Sequence, residues 1–451
     1  MTTRIVNVIG AGLAGSEAAW QLARRGLGVR LFEMRPVRMT EAHRTALFGE
    51  LVCSNSLRSD SMDTAVGVLK EEMRRLGSLV IAAADRARVP AGSALAVDRD
   101  EFARALTDAL NGDPLVEVVR EEVIAIPAGP TILASGPLTS PALEADLNRL
   151  VGARHLYFYD AIAPVVTAES IDMEIAFRAS RWGRGGDDYI NCPLDEAEYG
   201  GFVAALLAAE KVAAHPFERP VYFEGCMPIE EMARRGPRTL AFGPMRPVGL
   251  DDPRRARRPY AVVQLRQDDR AARLYNMVGF QTKMTYPEQR RVLRMIPGLA
   301  RAEFVRLGSL HRNTFIDSPR LLRPTLQLVG RDDLFLAGQM IGVEGYVESA
   351  AAGLLAALNA ANLVCGRPLA VPPPATALGS LVAYVTDSGR REFQPMNANY
   401  GLMPELGTRA RGKQKKMDLA ARALAAIDGF VAAAAFAGPK PGAAPVLQEA
   451  P

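Results

Sequence analysis

One short passage constrains the fold more than any other. The run RIVNVI, residues 4–9, has the apolar content of a buried strand, ends in GAGLAG, and continues as SEAAWQLARRG with helical spacing. A chain that must stop a strand, turn within a few residues and begin a helix needs glycine, and Gly10, Gly12 and Gly15 form G-x-G-x-x-G in that context. Gly10 permits the tight turn. Gly12 lets the backbone of Ala11, Leu13 and Ala14 come close to a pyrophosphate, whose charge faces the helix N-terminus. Gly15 allows close packing of helix on strand. A second strand, GVRLFEM, places Glu33 eighteen residues after Gly15. An acid there hydrogen-bonds a ribose hydroxyl and repels a 2′-phosphate, so the expected dinucleotide is FAD or NAD, not NADP.

A distant segment, FLAGQMIGVEGYVESAAAGLLAA, chooses between them. A strand ending at Ala337-Gly338, a loop through Gly342 and a helix from Tyr346 suit the ribityl-phosphate end of a flavin, so FAD is expected. The fold class is α/β: a Rossmann-type FAD-binding domain, discontinuous, with an inserted α/β domain. The expected boundaries are 1–150 for its first part, 151–310 for the insert and 311–436 for its second part, which carries a basic C-terminal segment; residues 437–451 have the composition of a disordered tail.

The 451 residues are 49% hydrophobic and 23% charged, which places the chain among ordinary globular proteins and, by length, among those with more than one domain. No apolar run reaches the roughly 18–20 residues of a membrane span, and the N-terminus lacks a basic, cleavable leader, so a cytoplasmic protein is expected. Cys53, Cys192, Cys226 and Cys365 are scattered with no CxxC pair, which speaks against zinc or a disulfide scaffold, and no metal is expected. Cys192 and Cys365 read as packing. Cys53 in FGELVCSNSLRSD and Cys226 in FEGCMPIEEM lie in polar turns, where amide donors and cations lower a thiol's pKa, and either can be a reagent or a small buried hydrophobe. The net charge is only +4, yet Arg409, Arg411, Lys413, Lys415 and Lys416 crowd TRARGKQKKMD without an acid, and four arginines crowd DDPRRARRPY. Such runs are ordinary solvated surface or the footprint of a polyanion.

Taken together, NVIGAGLAGSEAAWQLA, FGELVCSNSLRSD, VYFEGCMPIEEMARRG, LAFGPMRPVGL, YNMVGFQTKMTYPEQRRVLRMIPGL, HRNTFIDSP and LAGQMIGVEGYVESAAAGLLAA resemble the folate- and FAD-dependent tRNA (uracil-5-)-methyltransferases, the TrmFO family, from about Ile5 to Lys416. Two departures stand out: Lys283 where many relatives are expected to carry His, and Asp317 where Asn is expected. The resemblance implies transfer of a methylene from 5,10-methylenetetrahydrofolate to C5 of the T-loop uridine of tRNA, position 54. Reduced FAD supplies electrons and NAD(P)H recharges it. It implies Cys226 as the thiolate that adds at uracil C6, and Cys53 as the thiol that relays the methylene and assists proton removal from C5, although the two roles could be exchanged. Tyr346 is the candidate for stacking the pterin near the flavin, and Arg312 and Asn313 for binding tRNA or folate. The segment Arg409–Lys416 is the candidate for tRNA phosphates, with the arginine run as a second one. A related GidA-type protein acting on the wobble uridine with a partner GTPase, a non-catalytic FAD-containing tRNA-binding protein and a small-molecule flavin oxidoreductase are the alternatives. The first has a longer, helical C-terminus, and no obligatory protein partner is expected here.

Overall fold

The computed structural model describes residues 4–152, 155–184, 186–212, 227–252, 254, 257–390, 393–407 and 410–433, with backbone alone for 155–161 and 310–314. Cys226 and Arg409 lie outside the described residues, as do the side chains of Arg312 and Asn313.

Strand β1 (Ile5–Ile9) forms the centre of a six-stranded sheet. It pairs in parallel with β2 (Gly28–Phe32) on one side and with the strand Thr131–Leu133 on the other. Val116–Val119 extends the sheet beyond β2, and Arg331–Leu336 extends it beyond Thr131–Leu133, both in parallel. The strand Gln327–Leu328 closes that edge antiparallel. The register aligns Ile9 with Phe32 and Leu133, and Leu133 with Leu336. Four strands therefore end level. Gly10, Glu33, Ala134 and Ala337, each the next residue, sit side by side along the carboxyl edge, where open parallel sheets bind ligands. The outermost parallel strand comes from far along the chain, so the domain is discontinuous.

Helix α1 (Leu13–Ala23) packs against the helix Tyr346–Val364 at very short range. A Cβ on Gly353 would stand 2.1 Å from the Ala14 carbonyl oxygen, so only glycine permits this approach. The second helix is long and apolar enough to cross a membrane, contrary to the expectation that no segment is. Ala, Leu and Val on every side of it are instead consumed by α1 and the sheet, which is how an all-round apolar helix behaves inside a large core.

The insert has its own antiparallel six-stranded sheet, in the order Phe177–Arg178, Tyr189–Leu194, Ala261–Gln267, Leu274–Met277, Val165–Thr167 and Phe304–Arg306. One face is apolar and packs on the helices Glu196–Ala208, Ile229–Arg234 and Tyr286–Leu293, with Cys192, Phe202, Tyr275 and Phe280 fully buried among them. The backbone of His155–Ala161 pairs antiparallel with that of Leu310–Ile316, so the chain enters and leaves the insert through one two-stranded ribbon.

Candidate active site

The aligned strand ends and the glycine turns open onto a cleft of about 1050 Å³, counting its open mouth. Gly10, Gly12, Leu13 and Ala14 line it at one end and Gly338, Gln339, Tyr346 and Ser349 at another, with Glu33 in the wall. The glycines divide by cause. Gly10 has φ +95°, and a Cβ on it would meet Ala134 O at 2.6 Å; a Cβ on Gly15 would meet Gly10 O at 1.7 Å. Those two are required by the protein itself. A Cβ on Gly12 would meet nothing within 4 Å, so the protein leaves the space above it empty. Helix α1 begins there with no side-chain cap and no acid in its first turn, which leaves its N–H groups for an anion. Gly338 is left-handed and lies against Ala14. Gly342 is left-handed too, but the Phe393 ring occupies its Cβ direction and the residue does not line the cleft. This donor set and size fit a dinucleotide, with the empty space over Gly12 as the cradle of its pyrophosphate.

Glu33 does something the sequence did not disclose. Its Oε2 accepts from the Ala11 N–H (3.1 Å) and from Arg35 Nη2 (3.1 Å), and its Oε1 from Arg35 N (3.0 Å) and Nε (2.9 Å). Burial pushes the carboxyl up, but the bonds and charge of Arg35 outweigh it and hold Glu33 below the usual carboxylate range. The acid therefore pins the glycine turn, and a ribose hydroxyl must share or displace one of four existing donors.

At the far end Val52 and Tyr346 line the cleft, next to Cys53. Tyr346 begins its helix behind Gly345 and lines the cleft, and its hydroxyl oxygen accepts from the backbone N–H of Cys53 (2.9 Å) and of Ser54 (3.3 Å). The same oxygen lies 2.8 Å from Cys53 Sγ. The expectation for Tyr346 was a stacking ring; the hydroxyl makes it also the anchor of the Cys53 loop. Arg266 Nε donates to Asn55 Oδ1 (2.9 Å) and Nη2 to Ser54 Oγ (2.7 Å), while Asn55 Nδ2 donates back to Gln267 O (2.9 Å). Arg99 pairs with Asp268 at 3.1 Å and donates to Leu51 O at 2.6 Å. The insert thus grips the loop that presents Cys53. Sequence reasoning passed over Arg99, Arg266, Asp268 and Arg306. The available signal was the alternation in AVVQLRQ, which puts Gln264 and Arg266 on the face opposite Val263 and Leu265.

The other cysteines differ. Cys192 is fully buried, and burial pushes its thiol up to about 12. Cys365 caps the C-terminus of the helix Tyr346–Val364. The described chain resumes at Met227, one residue after Cys226, and a helix begins at Ile229. Lys283 pairs with Glu231 at 2.6 Å, and Asp317 with Arg320 at 3.4 Å.

The two basic runs behave differently. Arg411, Lys413 and Lys416 are exposed at the start of the helix Gly412–Ala433, and Lys415 reaches Glu405 at 3.4 Å. Cations at a helix N-terminus oppose its dipole, a local cost that a bound polyanion offsets. Arg254, by contrast, is committed. Its guanidinium donates to the carbonyls of Met173, Glu174, Ile175 and Ala176 (3.0, 3.0, 3.0 and 2.8 Å) and to Asp252 Oδ1 (3.0 Å). Arg254→Ala is therefore expected to destabilise the protein by about 1–3 kcal/mol in thermal unfolding while leaving the salt dependence of polyanion binding unchanged. A salt slope reduced by about one would instead make Arg254 a phosphate contact.

Residues 5–368 match the family described as glucose inhibited division protein A. The chain is 60% identical over 432 residues to the methylenetetrahydrofolate--tRNA-(uracil-5-)-methyltransferase TrmFO of Geobacter sulfurreducens, which covers 95% of this chain and 99% of that protein. It is 59% identical over 423 residues to the protein of the same name from Listeria monocytogenes serotype 4b, covering 94% and 98%. Among solved structures, Aquifex aeolicus GidA in its form II crystal matches with a TM-score of 0.70 over 97% of this chain and 75% of that one, a likeness of fold at 15% identity.

Proposed function

The chain belongs to the glucose inhibited division protein A family and within it to the methylenetetrahydrofolate--tRNA-(uracil-5-)-methyltransferases, and on that premise we propose how its residues methylate uracil C5 in tRNA. The protein is an FAD-dependent enzyme that takes its one-carbon unit from methylenetetrahydrofolate. When bound and reduced to FADH2, the flavin would supply the two electrons that turn a methylene into a methyl group. The amides of the Gly12 turn and the start of α1 hold the pyrophosphate, and Glu33 fixes the turn that presents them. The observation that carries the reading is Tyr346, whose side chain walls the cofactor cleft while its hydroxyl holds Cys53 Sγ at 2.8 Å. On this reading the Cys53 thiol serves where cofactor and nucleobase meet.

Uracil C5 is a poor nucleophile until a thiolate adds at C6, and Cys226 takes that role, leaving Cys53 to relay the one-carbon unit and accept the C5 proton. The T-loop uridine, position 54, must leave its stack to reach them, and Arg312 and Asn313 contact that substrate or the folate. Lys413, Lys415 and Lys416, with Arg409 and Arg411, hold tRNA phosphates and set its register. NAD(P)H reduces the flavin. The enzyme works in the cytoplasm, with tRNA as its macromolecular substrate and no obligatory protein partner or membrane attachment.

The test is one assay on purified protein with unmodified tRNA transcript, NADPH and methylenetetrahydrofolate, with S-adenosylmethionine in a parallel tube. 5-Methyluridine at position 54 of the digested RNA is expected in the folate tube only. A yellow protein that binds tRNA but makes no product in either tube overturns the reading. Lys413→Gln, Lys415→Gln and Lys416→Gln together are expected to lower the slope of log affinity against log salt by about two to three. An unchanged slope places the phosphate contacts on another surface.

A further inference from the structure

One line of residues crosses the polar face of the inserted sheet toward Cys53. The register sets Tyr189 opposite Arg266, Arg266 opposite Asn276, Asn276 opposite Val165, and Val165 opposite Arg306. Directly opposed residues project to the same face of a sheet. At one end the Tyr189 hydroxyl donates to Ala91 O at 3.1 Å. In the middle Arg266 grips Ser54 and Asn55. At the other end Arg306 has Nε and Nη2 buried with no hydrogen-bond partner among the described residues. Arg99 joins the group from the helix Arg99–Asn111, and all three guanidiniums act electrostatically on Cys53.

Charge balance makes this arrangement unusual. Among the described residues Asp268 is the carboxylate that acts on all three arginines, and with Arg266 buried and Arg99 and Arg306 partly buried, positive charge is in excess where little water reaches. Buried charge without a partner is costly, and the site needs another anion. The other acids facing the group are Tyr189, Tyr346 and Cys53. Burial pushes Tyr189 up, and it pushes Tyr346 well above its ordinary value, so both phenols keep their protons. Burial, with Arg99 beside it, brings Arg306 down to about 10, which still leaves it a cation at neutral pH. The sulfur remains. Hydrogen bonding agrees: the Tyr346 oxygen accepts two N–H groups, so its own proton is available to the sulfur 2.8 Å away.

We propose that Arg306, with Arg99 and Arg266, is a positioning residue that keeps the Cys53 sulfur as a resting thiolate to which the Tyr346 hydroxyl donates. The inference rests on the reading of Cys53 as a residue of the reaction, and adds what sets its protonation before any substrate arrives. A negatively charged sulfur is the form able to attack a one-carbon unit or accept a proton.

The test uses full-length FAD-bound protein without tRNA or folate. Iodoacetamide labelling of Cys53 is followed against pH by peptide mass mapping, in the parent, Arg306→Gln and Arg306→Lys, with flavin absorbance and melting temperature recorded for each. The parent is expected to label with a midpoint below that of an ordinary thiol. Arg306→Gln should raise the midpoint by about one to two pH units, a fall of about ten- to a hundredfold in labelling rate at pH below both midpoints, and Arg306→Lys should restore most of it. A parent midpoint at the ordinary thiol value overturns the proposal, whether or not the Gln variant folds. So does a folded, yellow Arg306→Gln protein with an unchanged profile. The reading beneath it fails differently: a fully active Cys53→Ala enzyme removes Cys53 from the reaction and leaves the labelling profile of the parent as it was.

Discussion

Gly15→Ala is expected to yield a protein that neither holds FAD nor folds at the parent's melting temperature. The added methyl would stand 1.7 Å from Gly10 O, a backbone atom in a turn that already has φ +95° and Ala134 O against it. No rotamer relieves such a contact, so α1 must move off β1. The cost is more than about 4 kcal/mol, in the range that marks backbone conflict in a core. Gly12→Ala isolates the other cause. Its methyl meets no protein atom within 4 Å, so the melting temperature of the apoprotein should match the parent's. The methyl instead enters the space where amides must approach a pyrophosphate. Losing one or two charge-assisted bonds of about 1.5–3 kcal/mol each weakens FAD binding by about tenfold to about ten-thousandfold. Flavin absorbance after gel filtration, titration of FAD into apoprotein and thermal melts read both variants. A yellow, stable Gly15→Ala protein would falsify the packing assigned to that glycine, and undiminished FAD affinity in Gly12→Ala would move the pyrophosphate elsewhere.

Cys226→Ala is expected to lower 5-methyluridine formation by at least about a thousandfold while the protein stays yellow, because a lost covalent nucleophile leaves little to replace it. Cys53→Ala should also stop turnover, but at a different point. Once C5 of a 5-fluorouridine in tRNA carries the one-carbon unit it has no proton to lose, so the thiol bonded at C6 cannot be eliminated and stays attached. Mass mapping of that RNA-linked peptide in the parent should give Cys226, and Cys226→Ala should form no such complex. The reverse pattern exchanges the two roles, and full activity in either variant removes that residue from the mechanism. The thiol of Cys53 is bonded to Tyr346 through its sulfur and its backbone N–H, so flavin content and melting temperature accompany both measurements.

The residues whose roles the sequence conceals are those with partners far away in the chain. Arg254 is one member of a basic run, yet the six hydrogen bonds of its guanidinium end on carbonyls about eighty residues earlier and on Asp252. Glu33 stood at the expected place for a ribose contact, but its four lone-pair sites are taken up by Arg35 and Ala11. Gly342 resembled a ligand-facing glycine and is left-handed, with Phe393 packed where its side chain would be. A glycine code reports that a side chain is forbidden; whether a ligand or an aromatic ring forbids it depends on the packing.

By itself the sequence determined the parts that depend on neighbours along the chain. The strand, turn and helix around Gly10, Gly12 and Gly15, the acid that follows β2, the second glycine turn near Gly338 and the basic run Arg409–Lys416 are local patterns. Backbone geometry, dipole and period act over a few residues and leave their mark in composition. Only the tertiary structure decided how Cys53 is dressed. Its hydroxyl partner lies 293 residues away, and Arg266 holds the adjoining Ser54 from 212 residues away. Such contacts require two sheets to meet, and that meeting is settled by which faces bury apolar surface. No periodicity records it. The charge environment of the thiol is therefore a property of the assembled domains and not of the FGELVCSNSLRSD segment that carries it.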